Sequence, residues 1–283
     1  MKLVRFTDDE GEVHPGVLQD DVIVDLTETG RTAKETGSEF GTVLEAIARR
    51  GPSAVAEVVD GASDEATVSR SNVNLTYPVA ERGRLISLGG AYTEHLQERG
   101  QKISAVPSQW IVPETALVGP DDPILLPERV SDFTMPAVEL GLVVGKGGHY
   151  IGEADAMSHV VGYTVVNDVT ARTGWPGPMA YKLMDTFSPC GPYLTTADSV
   201  SSPTDLEMTL HMGGKKICHG STAGMRFSLQ FIIRFVSSIL ELKPGDVIAT
   251  GDPGRVQESL EVGGDVTATI DEVGEITNKV KEI

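Results

Sequence analysis

The chain of 283 residues is 40% hydrophobic, 23% charged and 5% aromatic, a globular composition that excludes collagenous, fibrous and disordered classes. It is long enough to bury a sizeable core as one large domain or as a small one plus a larger one. Asp and Glu number 41 against 23 Lys and Arg, and a formal net charge of −18 repels polyanions, which argues against nucleic acid as a partner.

Cys190 and Cys218 are the only cysteines, so neither a disulfide framework nor a four-cysteine zinc site can be built. The acids are dispersed along the chain, a pattern that keeps a surface hydrated in concentrated salt and equally fits an ordinary acidic cytosolic enzyme. Stretches such as Leu140 to Val144 and Val247 to Ala249 fall far short of the roughly 20 apolar residues of a membrane span. Met1 to Arg5 runs directly into strand-like alternation. The expectation is a cytoplasmic protein with no signal peptide, anchor or membrane partner.

In chain order, Lys2 to Phe6, Val13 to Leu18 and Val22 to Leu26 alternate as short strands between polar turns, which predicts a small antiparallel meander. Phe40 to Ala48 and Ser53 to Val59 carry apolar residues at helical spacing, and Gly61 to Ser71, polar and small, reads as a link. These segments define a small N-terminal α/β domain over residues 1–75, ahead of a larger body over 76–283. From Leu85 onward strands dominate, the clearest being Val138 to Val144, Val160 to Val166, Leu206 to His211, Asp246 to Thr250 and Val266 to Ile270. One helix interrupts them, Ser228 to Leu240, with Leu229, Ile232, Ile233, Val236 and Leu240 on one side. The Gly-Asp turns before Val247 and Val266 read as two hairpin entries. The fold class is α+β and β-rich; alternating βα units are missing, which disfavours a doubly wound nucleotide-binding fold.

Four clusters carry residues of catalytic type. In Leu85 to Glu98 a strand ends at Gly89-Gly90 and helix-like sequence begins, putting His95 and Glu98 one turn apart; a carboxylate there would orient the imidazole as a general base, and the spacing alone fits a solvated surface pair as well. Glu139 interrupts the apolar strand Val138 to Val144, where a carboxylate must be paired, protonated or bound to a cation. Asp168 ends the apolar strand from Val160, so two neighbouring strands would aim both acids at one hard cation; the alternative is a turn in which Asp168 pairs with Arg172. Lys182 lies in a segment poor in surface residues and fits either an anionic substrate or a salt bridge. Thr250 to Gly254 is a tight loop whose backbone N–H groups suit a carboxylate.

Taken in order, the motifs resemble the fumarylacetoacetate hydrolase family: Gly-Gly-Ala-Tyr-Thr-Glu-His-Leu-Gln-Glu at 89–98, Ala-Leu-Val-Gly-Pro at 116–120, Val-Glu-Leu-Gly-Leu-Val-Val-Gly at 138–145, Gly-Tyr-Thr-Val-Val-Asn-Asp-Val-Thr-Ala-Arg at 162–172, Lys-Leu-Met-Asp-Thr-Phe at 182–187 and Leu-Lys-Pro-Gly-Asp-Val-Ile-Ala-Thr-Gly at 242–251. The resemblance implies a mixed β-sandwich roll with a small leading domain, a homodimer, and a Mg²⁺, Mn²⁺ or Ca²⁺ ion held by three carboxylates. By position those carboxylates belong at 137, 139 and 168, and residue 137 here is Ala. Glu139 and Asp168 remain as metal ligands, and the ion is weakened or absent. His95 and Glu98 match the family's dyad, Lys182 its lysine, and Tyr92, Thr250 and Gly251 are assigned to substrate contact. Ala91 stands where Asn is usual, and Val112 where Lys is usual.

The implied activity is hydrolysis or lysis of a short 2-oxo or 1,3-dicarbonyl acid, either C–C hydrolysis of an acylpyruvate or decarboxylation of oxaloacetate, with divalent-metal assistance. Two alternatives stay open on the same fold: a 2-keto-3-deoxy sugar acid dehydratase, and a metal-free or non-catalytic relative in which Ala137 marks a disabled site.

Overall fold

The computed structural model describes residues 1–27, 52–79, 83–93, 103–127, 133–172, 182–254 and 256–283. The expected helix Phe40 to Ala48 and the pair His95 and Glu98 lie outside them.

The meander forms as its alternation predicts, with Lys2–Thr7, Val13–Gln19 and Val22–Asp25 paired antiparallel in sequence order. It does not stop there. Thr67–Ser69, inside the segment read as a link, adds a fourth strand on Val22–Val24, and Lys2–Leu3 pair with Leu194–Thr195 of Ser188–Thr196. The sheet thus continues from Ser188–Thr196 through Val160–Asn167, Val138–Val144, Val247–Ala249 and Leu85–Gly89 to Ser108–Val112 at the far edge.

Alternate residues of this sheet serve two cores. Val138, Leu140, Leu142 and Val144 point to the larger one, shared with the helix Leu229–Ile239 and with a second, five-stranded sheet. Ser228 caps that helix by accepting from the Phe231 N–H at 3.1 Å, and Leu229, Ile232, Ile233 and Val236 are buried on one stripe, as the spacing predicts. Val143, Val166, Val247 and Ala249 point the other way, toward Val55 and Val59 of the helix Pro52–Asp60 and the partly buried Trp110.

The two Gly-Asp turns differ. The first is not a hairpin entry, since it joins the helix Leu229–Ile239 to Val247–Ala249, which pairs with strands distant in the chain. The second leads into Asp265–Ile270, whose antiparallel partner Gly274–Glu282 follows it, and so enters a hairpin as expected. The motif Gly-Asp reports a tight turn before a strand, not what lies ahead of the turn.

One feature of the topology places the site. Val247–Ala249 runs parallel to Leu85–Gly89 and antiparallel to Val138–Val144, which is antiparallel to Val160–Asn167. The ends of three strands, at Gly89, Ala249 and Asn167, therefore meet the start of the fourth, at Val138, along one edge of the sheet. Motifs far apart in sequence share that edge.

Candidate active site

The register decides which side chains meet. Val138 pairs with Asn167 and Glu139 with Val166, so Asp168 falls opposite residue 137 and diagonal to Glu139 on the same face. The Asp168 N–H donates to the Ala137 carbonyl at 3.2 Å, and the Asn167 Oδ1 accepts from the Ala137 N–H at 3.0 Å. Both acids are buried, each 1% exposed. The Lys182 ammonium, 23% exposed, forms an ion pair with Asp168 Oδ2 and lies 5.2 Å from the centroid of the Trp110 ring. Arg172 instead donates to the Met135 sulfur at 3.6 Å, so Asp168 pairs with Lys182.

Thr250 and Gly251 sit against the same strand. The Thr250 N–H and hydroxyl both donate to the Leu140 carbonyl at 3.0 Å, which pins the loop, and the Gly251 N–H donates to Glu139 Oε2 at 2.8 Å. The backbone donor that the sequence offers to a substrate carboxylate thus holds the chain's own carboxylate. Gly251 has φ +89°, and a Cβ there would stand 3.1 Å from that of Ala91, so this position favours glycine twice over. Ala91 fills the place where the family uses Asn, and Val112 joins the apolar cluster beside Leu85. Tyr92 is buried, and its hydroxyl donates to the Met208 sulfur at 3.7 Å.

Burial, reinforced by the Asp168 charge and opposed by Lys182, pushes the Glu139 carboxyl well above its usual range. Asp168 is raised for the same first reason, with Lys182 pulling it back down. Burial lowers Lys182, but Asp168 and Glu139 outweigh it and the ammonium is held above its ordinary value. Burial raises Tyr92, and the charges of Glu139 and Asp252 add to that. Asp252, quoted in sequence only as a loop residue, acts on Glu139, Asp168 and Lys182 as well. Asp252 and Trp110 are the two residues that sequence reasoning left without a role.

Asp168 Oδ1 is buried and has no hydrogen-bond partner. Such an atom needs a proton donor or a cation, and together with Glu139 it offers the hard oxygen donors that suit Mg²⁺, Mn²⁺ or Ca²⁺. The residues present therefore fit a divalent ion. Among the described residues, a group of three such side chains with ligand atoms within 4.8 Å of one another occurs elsewhere, at Asp8, Glu12 and His14 in the N-terminal meander. Asp8 Oδ1 there already accepts the Glu10 and Glu12 N–H groups, as in an ordinary Asx turn.

The family described as Fumarylacetoacetate (FAA) hydrolase C-terminal matches residues 84–281. The chain belongs to the fumarylacetoacetate hydrolase family. A mitochondrial oxaloacetate tautomerase of Xenopus laevis is 36% identical over 230 residues, covering 77% of this family member and 72% of that protein. Maleylpyruvate hydrolase from Sphingobium sp. SYK-6 superposes with a TM-score of 0.83 at 28% identity over the whole of both chains. Its structure with manganese (II) and pyruvate gives 0.81 at 27% identity, covering 100% of this chain and 99% of that one. A 5-carboxymethyl-2-hydroxymuconate delta-isomerase from Mycobacterium smegmatis gives 0.78 at 26% identity, with both chains fully covered. The β-rich α+β architecture expected from the motifs is the fold these structures share. The relatives are enzymes. No helix among the described residues is long and apolar enough to cross a membrane.

Proposed function

We propose that this chain cleaves the C–C bond of a short acylpyruvate-type 2-oxo acid with water. The observation that carries the reading is the Lys182 ammonium on the buried Asp168, beside Glu139, at a sheet edge where four family motifs meet. A cation fixed there is ready for negative charge that develops on a carbonyl oxygen.

In this reading His95, oriented by Glu98, takes a proton from water as the water oxygen adds to the acyl carbonyl. The C–C bond then breaks, and its electron pair leaves as the enolate of pyruvate, whose oxygen faces Lys182. Return of the proton from His95 to the enolate carbon gives pyruvate, and the acyl group departs as the carboxylic acid, whose remaining water proton is released to solvent. Glu139 and Asp168 would hold a divalent ion, which when bound supplies positive charge to the oxygens of the oxo acid. Thr250 pins the loop on the Leu140 carbonyl, Gly251 keeps Glu139 oriented through its N–H, and Tyr92 packs behind them, so these three support the site from within.

The 36% identity to an oxaloacetate tautomerase favours a second reading, in which the intact oxo acid passes through its own enolate by loss and return of one proton, with no C–C bond broken and no water added. The two separate in one assay. With Mn²⁺ present, acylpyruvate consumption is followed by its ultraviolet absorbance and pyruvate release by a lactate dehydrogenase couple, while enol-oxaloacetate is offered in parallel. Pyruvate formed in step with acylpyruvate loss supports hydrolysis. Turnover of enol-oxaloacetate alone establishes the second reading, and inertness toward both sinks the two together.

Trp110 bears on affinity. A ring beneath an ammonium contributes about 0.5–2 kcal/mol, so Trp110→Leu is expected to raise KM about tenfold with a smaller change in kcat, and Trp110→Phe to recover part of it. Equal KM values for both variants and the parent would show that the ring does not position Lys182.

A further inference from the structure

The family pattern puts a carboxylate at 137, and this chain has none there. Ala137 is buried, faces Asp168 across the strand pair, and its N–H is held by Asn167. The site still carries more negative charge than Glu139 and Asp168 alone. The Gly251 N–H donates to Glu139 Oε2 at 2.8 Å with φ at +89°, so Asp252 is the residue directly after the one bonded to the buried acid. The loop is pinned on both sides: Thr250 is bonded to Leu140, and Pro253 packs so closely on Gly220 that a Cβ on that glycine would stand 2.5 Å away. The charge of Asp252 is felt by Glu139, Asp168, Lys182 and Tyr92.

We propose that Asp252 supplies the third carboxylate of the cation site, from the loop after Val247–Ala249, in place of the strand position taken by Ala137. Three carboxylates against the Lys182 ammonium leave the pocket short of positive charge, and a hard divalent ion is the species that such a donor set selects. The unpartnered, buried Asp168 Oδ1 gives it a place to bind. Asp252 is not among the described groups whose ligand atoms already stand within 4.8 Å of one another. The three ligand oxygens therefore close to coordination distance only with the ion bound, while Thr250 and Pro253 keep the loop backbone in place. Relocating the carboxylate from a strand to a loop keeps the number of oxygen ligands and changes only their source.

This inference rests on the proposed ion-assisted reading, and binding measured without substrate separates the two. Mn²⁺ is titrated into the full chain and its free fraction read from the electron paramagnetic resonance signal. Asp252→Asn and Asp252→Thr are expected to weaken Mn²⁺ by at least about tenfold, since even the groups that merely support a ligand are worth about 10–100-fold. Adding Ala137→Glu to Asp252→Asn is expected to restore the affinity, Glu139→Gln to abolish it, and His14→Ala to leave it unchanged. Using two substitutions at 252, each checked by its circular dichroism melt, keeps a folding defect in one from deciding the matter. Parent-like Mn²⁺ binding by both Asp252 variants, with Glu139→Gln still inactive in binding, overturns the role of Asp252 and leaves the ion site standing. Absence of Mn²⁺ binding by the parent, or binding that survives Glu139→Gln and disappears in His14→Ala, overturns the ion-assisted reading along with it.

Discussion

Lys182→Met is expected to lower turnover of a 2-oxo acid by about 10²–10³, the loss that follows removal of one preorganised charge from a site that stabilises an oxyanion. The same substitution is expected to cost about 3 kcal/mol of stability near neutral pH, because methionine fills the space of the lysine stem while Asp168 and Glu139 stay buried with no ammonium beside them. The pH dependence separates this cause from lost packing. Both carboxyls have folded pKa values raised above their ordinary ones, so the folded form holds protons that the unfolded chain releases, and the stability they contribute is present below the ordinary carboxylate pKa and is lost as pH rises through the folded one. Lys182 opposes that rise, and removing it pushes both groups further up. The deficit of Lys182→Met, measured by urea unfolding, should therefore be large at pH 7 and shrink toward pH 4. A deficit of the same size at both would assign the loss to packing alone.

Much of this site is visible in the sequence because its acids violate their surroundings. Glu139 stands out in Val138–Val144 since every neighbour is apolar, and Asp168 stands out at the end of Val160–Asn167 for the same reason. Once the two strands pair, their register alone brings the acids to one face. The helix Leu229–Ile239 was equally legible, its buried stripe and its Ser228 cap both being local signals. Thr67–Ser69 was not, because it is an edge strand with two exposed residues and so lacks the apolar alternation that marks a strand. Asp252 was hidden for a different reason. Asp-Pro-Gly is a common turn sequence, and only the pairing of Val247–Ala249, antiparallel with Val138–Val144 and parallel with Leu85–Gly89, both distant in the chain, carries it to the sheet edge where the acids lie. Non-local pairing of that kind leaves no periodic trace in the residues it joins.

That same parallel pair begins at an ion pair between a partly exposed Arg84 and a buried Asp246, and Asp246→Ala is expected to reduce stability by about 1.5–3 kcal/mol, the loss of a buried acceptor of charged hydrogen bonds. Asp246 is 1% exposed and accepts from Arg84 Nε at 3.0 Å, Arg84 Nη2 at 2.5 Å, the Arg84 N–H at 3.1 Å and the Lys243 N–H at 2.8 Å. Truncation leaves those donors without their acceptor, and only the Glu241 carbonyl, 2.7 Å from Arg84 Nη2, remains to the guanidinium. The damage reaches the far edge of the sheet because the two strands that start here deliver Tyr92 and Gly251 to the site. Activity should therefore fall earlier than global unfolding as temperature rises, with Asp246→Asn, which keeps the shape and part of the hydrogen bonding, lying between Ala and the parent. A double-mutant cycle with Arg84→Ala provides the check. If the pair acts as one unit, the two single losses exceed the loss in the double variant by more than about 1 kcal/mol, whereas simple additivity would mean that Arg84 and Asp246 stabilise the strand starts independently.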